Sequence, residues 1–223
     1  MLPSRRGLPL DYGAPLESQT VPSLLRLATE SDAEAILAVY APYVAETAIS
    51  FELEPPEPAE MRRRLRNVLA MYPWLVWEDA GTIQGYAYAS RYHPRAAYQW
   101  TVEASVYIAR GQHRRGAARA LYSALFEILR LQGICNACAS IALPNPASVA
   151  LHEALGFHLA GRHPHVGHKL DAWHDVGFWQ LDLLPPPAQP SPPRPIAALV
   201  PSDAFHAALR AGEAAIRQPN AVQ

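Results

Sequence analysis

The stretch from Val106 to Leu125, VYIARGQHRRGAARALYSAL, places a small-residue step and paired arginines at the mouth of a helix. Leu121, Leu125, Ile128 and Leu129 recur at i, i+4, i+7 and i+8, the apolar stripe of an amphipathic helix. The first amides of a helix have no internal partner and carry partial positive charge. Gly116, Ala117 and Ala118 would let a phosphate approach those amides, and Arg114 and Arg115 would strengthen the attraction. The same residues fit a helix that starts after an exposed basic turn, and the stretch alone leaves both readings open.

Two further groups have metal-ligating or redox types. Cys135 and Cys138 form CNAC, but no second cysteine pair exists, and the surrounding ICNACASIAL reads as a strand on which residues three apart face opposite ways. His163, His165 and His168 fall in HPHVGH with no acidic residue among them. His163 and His165 could share a strand face, yet no metal site is expected. Glycine-rich loops of the G-x-x-x-x-G-K and G-x-G-x-x-G types are absent from the chain.

The elements around these groups follow from periodicity. SLLRLATESDAEAILAVYAPYV reads as a strand and then a helix, with Ser31 and Glu34 as a capping box. PAEMRRRLRNVLAMYP is a second helix, with Met61, Leu65, Val68 and Leu69 inward, its arginine run a solvated face, and Pro73 its end. WLVWEDAGTIQGYAYAS gives two strands about a tight turn at Gly81, and WTVEASVYI a third. After the helix of the opening stretch come the strand CASIAL, the helix NPASVALHEALGF closed near Gly156, and the strand WHDVGFWQLDL. The order β, α, α, β, β, β, α, β, α, β indicates one mixed α/β domain over residues 24–184. Residues 1–23 read as a loose arm. Residues 185–223 read as a proline-rich linker and a short helix carrying Phe205, Leu209 and Ile216. That tail has no catalytic motif, so the chemistry is expected upstream of it.

The strand, the HRRGAA turn and the following helix resemble the acetyl-CoA loop of the GNAT N-acetyltransferases, in which Gln or Arg is followed three residues later by Gly and two further on by Gly or Ala. LPNPASVALHEALGF resembles the second signature of that superfamily. YPWLVWE, AYQWTVEASVYI, LHEALGF and AWHDVGFWQLDL are similar to segments of one branch, the phosphinothricin and methionine sulfone/sulfoximine acetyltransferases. The likeness spans roughly Leu24 to Leu184. His113 stands where the loop usually has Gln or Arg, Ala117-Ala118 replace a commoner apolar-Gly pair, and His93 stands where the branch has lysine.

The resemblance implies a GNAT fold, a mixed central sheet flanked by helices, and acetyl-CoA as co-substrate without a metal. It implies that Val106, Tyr107 and Ile108 pair with the pantetheine arm, and that the amides of Arg114 through Arg119 hold the pyrophosphate. Asn145 would bond the cofactor arm, Glu103 would be the general base and His152 the general acid. Phe51, His93, Arg95 and Tyr98 would form the substrate pocket, and Arg95 and His93 suit an anionic amine rather than an aminoglycoside. Each has a plainer reading beside it: Glu103 as an exposed strand residue, His152 as a satisfied buried histidine, Asn145 as a helix cap. The alternatives are a fold that binds acyl-CoA without turnover, or an acetyltransferase for protein N-termini or aminoglycosides. The branch further implies a homodimer.

Composition bounds the partners. Nineteen basic and twenty acidic residues give a net charge of −1, which argues against nucleic acid. No apolar run is long enough to span a bilayer, and the N-terminus lacks a secretory apolar segment, so a cytoplasmic protein is expected.

Overall fold

In the computed structural model, residues 23–217 are described. Seven strands form one sheet in the order β1-β2-β3-β4-β5-β7-β6. They are β1 (Leu24–Leu27), β2 (Trp74–Asp79), β3 (Thr82–Arg91), β4 (Thr101–Ile108), β5 (Asn136–Leu143), β6 (His158–Lys169) and β7 (Ala172–Asp182). Every neighbour is antiparallel except β4 and β5. The helices are α1 (Ala33–Glu46), α2 (Pro58–Leu69), α3 (Ala117–Gln132), α4 (Pro146–Ala154) and α5 (Asp203–Ala215). Such a mixed sheet with helices on both faces is the GNAT-type α/β arrangement expected from the chain.

Each sheet face buries its own core. On one, Ile36, Val39, Val44, Met61 and Leu65 of α1 and α2 pack on Trp74, Val76 and Tyr86. On the other, the stripe Leu121, Leu125, Ile128 and Leu129 of α3 packs on Leu75, Trp77, Val102 and Ala104. The aliphatic spacing read from the sequence therefore does dictate which side of α3 is inward.

Several local expectations change. The capping box lies two residues upstream of Ser31 and Glu34: the Thr29 amide donates to Asp32 Oδ2 at 2.7 Å, and Ser31 lies in a short 3-10 turn. The arginine run of α2 is a solvated face, as expected, and it also carries a set of ion pairs. Arg62 pairs with Glu34, Arg63 with Glu60, Arg66 with Glu30, and half-buried Arg64 with both Glu52 and Glu60. The strand order also needs one more member, β6, inserted before the last. HLAGRHPHVGHK sits at the sheet edge with nearly all its residues exposed, so it has no apolar alternation for a reader to follow.

The tail packs into the molecule. Phe205, Ala208, Leu209 and Ile216 are buried in the same core as α3 and β1. Gly212 allows this: a Cβ there would lie 3.1 Å from the Ala120 carbonyl and 3.2 Å from Ala124 Cβ. The segment leading to α5 is tied down as well, with buried Gln132 donating to Met71 O and Arg194 O, and Trp100 Nε1 donating to Ser191 O.

Candidate active site

The one parallel strand pair creates the site. β4 and β5 pair only over Thr101–Glu103 and Asn136–Cys138, then diverge. Beyond Glu103 the β5-facing edge of β4 has no strand partner, so its backbone is available to an extended ligand. The split is a narrow slot of about 60 Å³, lined by Ser105, Val106 and Tyr107 on one side and by Ser140, Asn145 and His152 on the other.

Along β4, alternation puts Val102, Ala104 and Ile108 toward α3, and Glu103, Ser105 and Tyr107 toward α1 and α2. Glu103 sits where the strands part, and Ser140 Oγ donates to its Oε1 at 2.6 Å. From the other face, the Tyr122 hydroxyl of α3 lies 3.2 Å from His152 Nε2. His152 Nδ1 lies 2.8 Å from the Ser148 carbonyl, which can only accept, so Nδ1 carries the proton and Nε2 receives the Tyr122 O–H. Burial lowers the His152 pKa below its usual value, and the neutral ring follows. Burial likewise raises the Tyr122 phenol, keeping it a neutral donor. Groups on opposite sheet faces normally never meet; here the split lets Tyr122 and His152 from one side and Ser140, the partner of Glu103, from the other line one slot.

The loop after β4 leads into the start of α3. Its N-cap is Gly116, in the left-handed region at φ 80°, and no side chain caps the first turn. The contrast is α4, whose first turn is capped by Asn145 Oδ1 accepting from the Ser148 amide. The uncapped amides of Ala117, Ala118 and Arg119 therefore remain for an anion. Arg114, the loop's apex, is exposed. The Arg115 guanidinium is engaged within the protein: it is ion-paired with Asp79 at 2.7 Å, bonded to Gln112 Oε1, and lies 4.8 Å over the Trp77 ring. Tyr43 of α1 steadies the loop, its hydroxyl donating to Ile108 O at 2.6 Å and lying 3.2 Å from His113 Nε2.

The expected substrate residues gather less tightly. His93 and Tyr98 lie 5.0 Å apart with Tyr92 beside them, in the exposed loop between β3 and β4, whereas Arg95 makes no ion pair among the described residues. Phe51 rests on Gly167 and faces His174 of the β6–β7 hairpin; Ile49, not Phe51, lines the slot. A second cavity of about 320 Å³ opens beside α2, walled by Arg64, Asn67, Trp74, Tyr88 and Ser90. Ser90 pairs directly with Glu103 across β3 and β4, so this cavity is on the face from which the carboxylate looks out. Tyr122, Ser140 and Arg64 were invisible to sequence reasoning because each lies in an ordinary amphipathic pattern. The cysteines are free, burial pushes the Cys135 thiol up, and burial with nearby Glu103 takes Cys138 to about 11. The three histidines of HPHVGH, within β6, are spread: His163 packs on Phe178, His168 on Trp173, and a register shift between His163 and Gly167 breaks the alternation. Among the described residues no three His, Cys, Asp or Glu side chains gather as a metal site.

A sheet opened between two parallel strands, ending on an uncapped helix, defines an α/β protein built to take an extended ligand with an anionic end. The model of the acetyltransferase (GNAT) domain matches residues 25–177, and the chain belongs to that family. It is 40% identical over 175 residues to a phosphinothricin N-acetyltransferase of Streptomyces viridochromogenes, covering 78% of this chain and 93% of that one. It is 37% identical over 169 residues to an L-methionine sulfoximine/L-methionine sulfone acetyltransferase of Pseudomonas paraeruginosa, covering 74% and 98%. Among solved structures, a phosphinothricin acetyltransferase of Sinorhizobium meliloti in complex with AcCoA superposes with a TM-score of 0.72 at 33% identity, covering 78% and 98%.

Proposed function

We infer that the protein is an N-acetyltransferase that moves the acetyl group of acetyl-CoA to the α-amine of a small amino acid, of the phosphinothricin, methionine sulfone or methionine sulfoximine type. The observation that carries this is the free β4 edge running from Glu103 to the uncapped start of α3. The pantetheine arm would add to β4 at Val106–Ile108 as another strand would. The pyrophosphate would meet the amides at Gly116–Arg119, with Arg114 for added charge and Asn145 at the opposite wall.

The amine arrives protonated at neutral pH and is then no nucleophile. Glu103 removes that proton, directly or through a water, while Ser140 keeps one carboxylate oxygen fixed. As the amine attacks the thioester carbon, a β4 amide supports the charge building on oxygen. The C–S bond then breaks: at the slot wall the Tyr122 O–H turns from His152 Nε2 to the departing sulfur and protonates it, and the phenolate recovers a proton from the nitrogen of the adduct. His152 thus orients a donor. Binding without turnover would leave this converging set of carboxylate, hydroxyl and imidazole without a task.

The His93–Tyr98 loop and Arg95 would meet the anionic end of the amine. The exposed apolar residues of the edge hairpin β6–β7, Leu159, Val166, Leu170 and Trp173, support a homodimer through that edge. Free thiols and balanced charge suit a cytoplasmic protein that does not engage nucleic acid. No described helix is long and apolar enough to cross a membrane.

A thiol-release assay tests the reading, with acetyl-CoA against phosphinothricin, methionine sulfone, methionine sulfoximine and common amino acids. Turnover should be highest with the first three. Coenzyme A binding without thiol release across the panel would overturn the enzymatic reading. Preference for an aminoglycoside or a peptide N-terminus would overturn the substrate class.

A further inference from the structure

We propose that Arg217, at the end of the C-terminal segment, is a positioning residue that clasps the loop before α3 in its anion-receiving conformation. The proposal rests on the pyrophosphate role given to that loop above. The contact is reciprocal and spans the chain: the Arg217 amide donates to Arg115 O at 2.9 Å, and Arg115 Nε donates to Arg217 O at 3.0 Å. Two residues further back, the Ala215 carbonyl lies 3.2 Å from where a Cβ on Gly116 would be. The tail thus touches both Arg115 and Gly116.

The loop needs such support. Gly111, Arg114 and Gly116 all adopt left-handed backbone, at φ 82°, 66° and 80°. Arg114 carries a side chain there, a conformation that persists only where the surroundings over-determine it. Next to it, Arg115 is the fixed point. Asp79, Gln112 and the Trp77 face hold its guanidinium, and the Arg217 carbonyl takes its Nε. The direction of the Gly116–Arg119 amides is set by this anchored residue. Arg217 is the part of the anchor supplied from the far end of the chain, beyond the family match that ends at residue 177.

The test is Arg217→Pro. Proline has no N–H to give Arg115, and Ile216 already has the extended backbone that a residue before proline needs, φ −82° and ψ 123°. Arg217 is exposed, so circular dichroism should match the parent. Kinetics and binding titrations are run with acetyl-CoA and with S-acetylpantetheine, which has the thioester arm but no pyrophosphate. Loss of one net hydrogen bond should raise the acetyl-CoA KM and Kd by about three- to tenfold. The KM for amine, kcat at saturating donor and all constants for S-acetylpantetheine should stay close to the parent's. An unchanged acetyl-CoA KM would overturn the clasp, and so would an equal loss with both donors. A parent enzyme that binds the two donors equally would instead remove the pyrophosphate reading of the loop, and the clasp with it.

Discussion

At the scale of single residues, the site depends on who holds whom. Glu103 is fixed by Ser140, and Tyr122 by a histidine whose own proton is committed to the Ser148 carbonyl. Glu103→Gln keeps the shape and removes the proposed base. Its kcat should fall by about 10²–10⁴-fold with acetyl-CoA affinity unchanged. Raising the pH should restore part of the loss, because more amine arrives deprotonated. Near-parental kcat at pH 7 would make Glu103 a bystander. His152 carries a pH signature in stability. Its folded pKa is lowered by burial from 6.5, so between the folded value and 6.5 the unfolded chain binds a proton that the folded one refuses. Its contribution is full above 6.5 and is lost as pH falls through that window, at most about 1.4 kcal/mol per pH unit. Urea titrations of His152→Gln between pH 5 and 7 should therefore give a shallower fall than the parent. Parallel profiles would mean that the imidazole is not held neutral.

At the scale of elements, the packing of α5 on α3 turns on one glycine. Any side chain at Gly212 meets the Ala120 carbonyl and Ala124 as well as the more yielding end of Leu25. Backbone cannot give way as a side chain can, so Gly212→Val should cost about 1–3 kcal/mol as overpacking. In a chain of this size that lowers the melting midpoint by about 2–4 °C per kcal/mol, read by calorimetry. A midpoint equal to the parent's would show that the two helices do not depend on close approach. The same packing shows why the tail, though free of catalytic motifs, is part of the domain's interior: Glu213 Oε1 accepts the Leu25 amide, and Ile216 is buried just before the Arg217 clasp.

At the scale of the whole molecule, the β6–β7 hairpin carries several exposed large apolar side chains, Trp173 at 63% and Leu170 at 56%. A homodimer that uses this edge predicts that Trp173→Ser with Leu170→Ser shifts the sedimentation coefficient to that of a monomer. A parent that sediments as a monomer would remove the dimer. The chain by itself determined the family, the strand–loop–helix at Val106–Leu125, the inward stripe of α3 and the free thiols, because these rest on local periodicity and on motifs contiguous in sequence. It also contained Glu103, His152 and Asn145, since each lies within such a motif. What only the tertiary structure decided is long-range. Edge strand β6 has no apolar alternation, and the Arg115 side chain is turned to Asp79 and Trp77 by partners 36 and 38 residues away in the chain. Tyr122 shares a slot with Ser140, which holds Glu103, only because β4 and β5 part after three paired residues. Arg217 reaches the α3 loop across 102 positions. Local pattern records what a segment prefers; which segments touch is set by how two cores pack against one split sheet.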